Sequence, residues 1–484
     1  MTNNTSVVIL GGSGDLTRRK LVPALYHLYC KKRLDQPARI VGFSRTEYSH
    51  DDFRDYLREH VQEMATETFD DATWDEFARL LWYVPGDLAD TDDYDDLINF
   101  LEEQEDGPAN RLYYLALAPT QYLTAVENLH QTGMIANSSG WRRVIVEKPF
   151  GHDLASAQEL NHNLHAALDE QQIYRIDHYL GKETAQNILF FRFANTMFEP
   201  IWNRTYVESV QISVMEAVDI GRRGRYYDQT GVLRDMFQNH LLQLLTLIAM
   251  GAPDSFEADQ LRDEKVKTLC AVRPVRLEDT VRAQYEGYRD TEGVAADSQT
   301  PTYAALKLFI DNWRWEGVPF YLRSGKALGR KASEIVVQFK RPPVSIFHLP
   351  PGKELTTNLI SMCIQPDEGI HQRFEVKEPD SIQNMRSVDM EFHYASSFGE
   401  AVIPDAYERL LMDALNGDAS LFTRADGVEA EWKIIDPILE GWESNPDISP
   451  IVSYEKGSWG PAEADELLAK NGHKWTMRCL HDDD

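Results

Sequence analysis

Short apolar runs alternate with amphipathic stretches over the first third of the chain. Strand-like runs fall at residues 7–10, 39–43, 82–84, 111–116, 143–146 and 172–176, and the segments between them carry apolar residues at helical spacing, such as Leu21, Leu25 and Leu28. This alternation predicts a parallel sheet wound on both sides by helices. It ends near residue 177. Beyond that point the strand candidates lengthen, to 207–214 and 335–339, among helices and the loop Arg341-Pro342-Pro343. The expected fold class is therefore α/β followed by α+β: a Rossmann-type doubly wound domain over 1–177, then 178–484 with a large, mostly antiparallel sheet. No repeat or low-complexity linker separates the two.

The first strand runs into Gly11-Gly12-Ser13-Gly14-Asp15-Leu16, and a helix follows. Glycines let the chain turn sharply and bring backbone amides against a pyrophosphate at a helix start. The spacing departs from the common G-x-G-x-x-G, because Thr17 stands where a third small residue is usual. An NAD site usually ends its second strand with an acidic residue for the ribose hydroxyls. Here the strand ends Ser44-Arg45-Thr46, and the first carboxylate is Glu47. A guanidinium and hydroxyls suit a 2′-phosphate, so the expected cofactor is NADP, with NAD as a weaker alternative.

At the domain boundary, Arg175-Ile176-Asp177-His178-Tyr179-Leu180-Gly181-Lys182 packs a carboxylate, an imidazole, a phenol and an ammonium into one short stretch. Asp177 can orient a histidine, while His178, Tyr179 and Lys182 are donors of the kind a phosphate dianion needs. The bland alternative is an Asp-His pair that only caps a helix after a strand. The segment points to an enzyme acting on a phosphorylated metabolite.

Length and composition narrow the class. The chain has 484 residues, of which 43% are hydrophobic, too many for one core. No apolar run approaches the roughly 20 residues of a membrane helix, and the start Met-Thr-Asn-Asn-Thr lacks a signal pattern, so a cytoplasmic enzyme without membrane contact is expected. Cys30, Cys270, Cys363 and Cys479 show no paired metal spacing, which predicts reduced thiols and no metal site. Basic residues number 49 against 78 acidic ones, for a formal charge of −29. Such a surface repels nucleic acid and suits concentrated salt. It also gives weight to the few cations an anionic ligand would need, among them Arg45, Lys148, Lys182, Lys326 and Lys331.

Several separate segments together identify a family. Beside Gly11-Gly12-Ser13-Gly14-Asp15-Leu16 and the Asp177 segment stand Glu147-Lys148-Pro149-Phe150-Gly151, Leu233-Arg234-Asp235-Met236-Phe237-Gln238-Asn239-His240, Asp311-Asn312-Trp313-Arg314-Trp315-Glu316-Gly317 and Gly417-Asp418-Ala419-Ser420. In order and spacing the chain resembles glucose-6-phosphate dehydrogenases over essentially its full length. The resemblance implies oxidation of glucose 6-phosphate at C1 with hydride transfer to NADP+, the first step of the oxidative pentose phosphate pathway, by a homodimer or homotetramer. It implies His240 as the base, on a helix expected over 232–250, and Asp177 as the carboxylate on its other ring nitrogen. His178, Tyr179 and Lys182 would hold the phosphate; Glu216, Asp235, Lys326, Lys331 and Gln365 would hold the sugar. Lys148 would bridge sugar and cofactor, next to a cis bond before Pro149. Asp219, Pro301 and Gly427 depart from the family pattern. Two other readings stay open: a dehydrogenase of unphosphorylated sugars or inositols, which would not need the Lys182 clamp, and an inactive redox sensor, which should have lost Asp177 or His240.

Overall fold

The computed structural model describes residues 4–34, 38–65, 69–136, 140–347, 355–399 and 403–479; the acidic end Asp482-Asp483-Asp484 lies outside them. The chain divides into two compact units, Met1–Gly181 with Ser255–Arg262 and Pro404–Glu429, and Lys182–Asp254 with Asp263–Ile403 and Ala430–Asp484. Two segments from the C-terminal half thus belong to the first unit.

Each strand-like run of the first third forms a strand: β1 (Thr5–Leu10), β2 (Ala38–Ser44), β3 (Leu81–Pro85), β4 (Asn110–Leu115), β5 (Arg142–Val146) and β6 (Ile173–Ile176). All pair in parallel, in the order β6-β5-β4-β1-β2-β3. β1 and β4 are buried at every position, which is why they read as continuous apolar runs without alternation. The chain winds outward from β1 in one direction and from β4 in the other, so the topological switch point lies at their C-terminal ends. The periodicity does not reveal one further strand. The two residues Phe422–Thr423 add antiparallel to β6, too short a pairing to leave a pattern.

The second unit is built on nine strands: β7 (Val207–Met215), β8 (Thr280–Tyr285), β9 (Tyr303–Leu308), β10 (Phe320–Gly325), β11 (Ala332–Phe339), β12 (Leu359–Gln365), β13 (Gly369–Lys377), β14 (Met385–His393) and, after β15 (Phe422–Thr423) of the first sheet, β16 (Ile451–Tyr454). Their order is β14-β13-β12-β11-β7-β10-β9-β8-β16. The pairing is antiparallel apart from β7–β10 and β8–β16.

Two expectations are corrected here. The helix expected over 232–250 starts earlier, as Gly224–Val232, passes into wide π-type turns over Leu233–Leu241 and returns to α-geometry over Leu242–Ala249. Gly231, at φ +66°, kinks the path, and the Val232 amide donates to Pro301 O at 3.0 Å instead of within the helix. The cysteines are not all thiols: Cys363 on β12 is bonded to Cys479, leaving Cys30 and Cys270 free. The partners are 116 residues apart in sequence. They meet because the C-terminal segment returns to the sheet, where Gln211 of β7 bonds Lys474 O and the Thr476 amide, each at 2.9 Å, and Glu334 of β11 accepts the Arg478 amide at 2.8 Å.

Candidate functional site

The glycine turn sits at the switch point of the first sheet. Gly11 has φ +93°, and a Cβ there would lie 2.2 Å from Ala116 O, beyond the end of β4; one on Gly12 would lie 2.6 Å from Gly42 Cα. Only glycine allows this approach. The turn's own amides are already committed. Gly11 and Gly12 donate to Phe43 O, Ser13 to Ser44 Oγ and Gly14 to Gly11 O. Thr17, buried in place of a third small residue, donates its hydroxyl to Gly11 O at 2.9 Å and so braces the turn. The helix-start amides of Asp15 and Leu16 donate to no described residue, so they are available to an anionic group at this end of the helix. The Asp15 carboxylate pairs with Arg18 at 2.8 Å, which keeps a negative charge near the turn from standing alone.

At the end of β2 the Ser44 hydroxyl meets Ser13 Oγ at 2.9 Å and Tyr83 Oη at 2.8 Å, while Thr46 Oγ1 lies 2.8 Å from Ser13 Oγ. This hydroxyl network joins the glycine turn to the strand end. Arg45 projects from it, exposed and with no ion pair to a described residue.

β5 and β6 pair with Val146 opposite Arg175, so Glu147 and Lys148 run on alongside Ile176 and Asp177 at the C-terminal ends of the two strands. The Lys148–Pro149 bond is cis. Glu147, which no motif role singles out, is partly buried here. Its carboxylate accepts from Tyr114 Oη at 2.5 Å, and burial raises its pKa against the lowering effect of Tyr114 and Tyr407. Asp177, 2% exposed, accepts the Tyr179 amide at 2.9 Å on Oδ1, and its carbonyl accepts from Leu180. Asp177 does not cap a helix, since the next one begins at Glu183 with Lys182 at its start; the carboxylate closes a turn instead, which fixes one of its oxygens in place. His178 and Tyr179 follow with ring centroids 5.0 Å apart.

In the second unit, four of the residues expected to hold the sugar gather at one end of the sheet. Glu216 follows β7, Lys326 follows its parallel neighbour β10, Lys331 precedes β11 and Gln365 ends β12. The register puts Met215 opposite both Gly325 and Ala332, and Ser333 opposite Gln365. Lys326 Nζ reaches Glu216 at 2.5 Å and Asp235 at 3.1 Å. Burial disfavours the ammonium, but the two carboxylates outweigh it and raise the pKa above the usual lysine value. The Lys182 ammonium donates to the Gln365 side-chain oxygen, and Gln365 donates to Ser333 Oγ at 2.9 Å. Lys331 is exposed and stands outside this network.

His240 lies in the wide turns with 1% exposure, its amide donating to Asn239 Oδ1 at 2.6 Å. The adjoining polar side chains are held too: Gln238 and Gln243 both donate to Glu431. Sequence reasoning missed Tyr227, whose ring lies 5.1 Å from Lys326 Nζ, and Tyr454, which donates to Lys326 O at 2.7 Å. Both belong to a tyrosine-rich core that reads as ordinary packing. No residue type at a fixed spacing could have singled them out.

A glycine turn at the switch point of a Rossmann-type parallel sheet marks a nicotinamide-dependent oxidoreductase. The comparisons make the class specific. The model of the glucose-6-phosphate dehydrogenase NAD binding domain matches residues 8–187, and that of the C-terminal domain 189–476. The chain belongs to the glucose-6-phosphate dehydrogenase family. It is 43% identical over 489 residues to a glucose-6-phosphate 1-dehydrogenase of Aggregatibacter actinomycetemcomitans, covering 98% of this chain and 97% of that one. It is 44% identical to glucose-6-phosphate 1-dehydrogenase 2 of Mycobacterium bovis, with 97% and 94% covered. A solved glucose-6-phosphate dehydrogenase in complex with its substrate superposes with a TM-score of 0.91 at 36% identity, over 98% of this chain and 99% of that one. The Mycobacterium avium enzyme superposes with 0.87 at 39%, with 99% of each covered. Among the described residues no helix is long and apolar enough to cross a membrane.

Proposed function

We propose that this protein oxidises D-glucose 6-phosphate to 6-phospho-D-glucono-1,5-lactone, with NADP+ taking the hydride from C1. The observation that carries the reading is the near-complete superposition on a relative solved with that sugar phosphate. It is supported by the presence here of Asp177, His178, Tyr179, Lys182 and His240, each in its family motif. The bound nicotinamide supplies the hydride acceptor; the residues of the chain do the rest. His240 takes the C1 hydroxyl proton, and Asp177 stabilises the imidazolium. His178, Tyr179 and Lys182 hold the phosphate, far from the reacting carbon, and convert its binding energy into positioning. Glu216, Asp235, Lys326, Lys331 and Gln365 hold the sugar hydroxyls; Lys148 serves sugar and cofactor. Arg45, beside Ser44, takes the 2′-phosphate. The working protein is a homodimer or homotetramer in the cytoplasm.

The test follows reduced nicotinamide absorbance with glucose 6-phosphate or glucose, each with NADP+ or NAD+. Turnover confined to the phosphorylated sugar is expected; activity on glucose alone would move the chain to the unphosphorylated-sugar dehydrogenases. Arg45→Ala is expected to cut the NADP+ over NAD+ preference in kcat/KM by about tenfold or more, the loss of roughly one charge-assisted bond. His240→Asn should lower kcat by several orders of magnitude with KM nearly unchanged, and Lys182→Ala should act mainly on KM. Equal losses in both parameters for both variants would refute this division of roles.

A further inference from the structure

Beyond Gln365 and the turn that follows it, at the β14 edge of the nine-stranded sheet, two histidines and two carboxylates converge. β13 and β14 pair with His371 opposite Glu391 and Gly369 opposite His393. Glu391 and His393 are two apart on one strand, so they share a face, and His371 lies on that face across the ladder. His371 is buried, His393 partly so, and Glu391 reaches solvent. His371 Nδ1 stands 3.4 Å from Glu391 Oε1, and His393 Nε2 stands 3.6 Å from Glu391 Oε2. One ligand atom from each of the three lies within 4.8 Å of the others. Neighbouring donors around a tetrahedral ion with bonds of about 2.0–2.1 Å are about 3.3 Å apart, so the spacing is already close to that of a ligand set. The fourth group has a different part. Asp367 Oδ1 lies 3.0 Å from His393 Nδ1 and can accept its proton, which leaves the Nε2 lone pair facing Glu391 and His371.

We propose that His371, Glu391 and His393 bind one divalent first-row metal ion, Zn2+ foremost, with a water in the remaining position and Asp367 fixing the tautomer of His393. Two imidazoles and one carboxylate suit such an ion better than Mg2+ or Ca2+, which prefer oxygen. The ion ties the last two strands of the sheet together, at an edge where, among the described residues, no further strand pairs with β14.

The test uses the full chain, with Cys30 and Cys270 alkylated and bound metal removed by a chelator, titrated with ZnCl2 against a chromophoric competitor. One equivalent should bind, and it should raise the melting temperature. CoCl2 at the same site should give a visible d–d band. Glu391→Gln changes an exposed side chain and should weaken Zn2+ binding by more than about 100-fold and abolish the cobalt band, whereas Asp367→Asn should weaken it by about 10–100-fold. Because His371 is buried, His371→Gln is read only alongside circular dichroism. The proposal is overturned if no equivalent of Zn2+ binds, which would leave histidine–carboxylate ion pairs alone, or if Glu391→Gln binds zinc and cobalt as the unaltered chain does.

Discussion

Lys326 shows how a single side chain is held at the sugar end of the second sheet. Its ammonium is largely buried, and two carboxylates, Glu216 and Asp235, compensate the loss of water. Removing the cation leaves two like charges facing each other. Lys326→Met is therefore expected to destabilise the chain by about 2–4 kcal/mol in urea unfolding, and the double variant with Glu216→Gln should recover part of that loss. If Lys326→Met alone costs nothing, the ammonium is not the counter-charge described here. The folded pKa is raised, so the contribution of Lys326 is fully present below its ordinary value of 10.5 and is lost only as pH rises through the folded value. Residue type made Lys326 a candidate in the sequence, because an anionic chain has few cations to spare. The neighbours that set its charge state come from other elements, Glu216 after β7 and Asp235 in the wide helical turns, and Tyr227 and Tyr454 carry no signature that separates them from core residues.

The strands of the first sheet were legible because burial on both faces leaves short unbroken apolar runs between amphipathic helices. β13 and β14 were not, since they are only partly buried and carry charges such as Arg373, Glu375 and Asp389 along their length. The same gap hid the His371, Glu391 and His393 cluster, which exists only once the antiparallel register is known. The C-terminal segment that returns to β11 was equally silent, and its anchor suggests a pH dependence. Burial pushes the Glu334 carboxyl up to about 7, against bonds from Ser361 and the backbone near Cys479. Its folded value lies above the ordinary 4.5, so the native state holds the proton more tightly. Its stabilising contribution is full below pH 4.5 and is lost as pH rises through about 7. Urea midpoints of the unaltered chain and of Glu334→Gln, measured from pH 4 to pH 8, should therefore show the unaltered chain losing ground to the variant across that window. A constant difference between the two would mean that Glu334 does not titrate there.

For the whole molecule the dominant quantity is charge. A surplus that leaves a formal charge of −29 makes the folded chain repel itself, and the unfolded chain relieves that repulsion by expanding. Salt shortens the Debye length from about 10 Å at 0.1 M to about 3 Å at 1 M, so added KCl should stabilise the fold over that range. Binding of a dianion responds in the opposite sense, because the attraction of the Lys182 ammonium for it is screened by the same ions. Rising KCl should therefore raise the melting temperature while it raises the KM for glucose 6-phosphate. The KM for glucose 6-phosphate should move more than any inhibition constant measured with an uncharged sugar. The two trends separate global from local electrostatics: a melting temperature that falls or stays flat up to 1 M KCl would show that self-repulsion is not what limits stability, and a KM indifferent to salt would show that the phosphate is not held by charge that salt can screen.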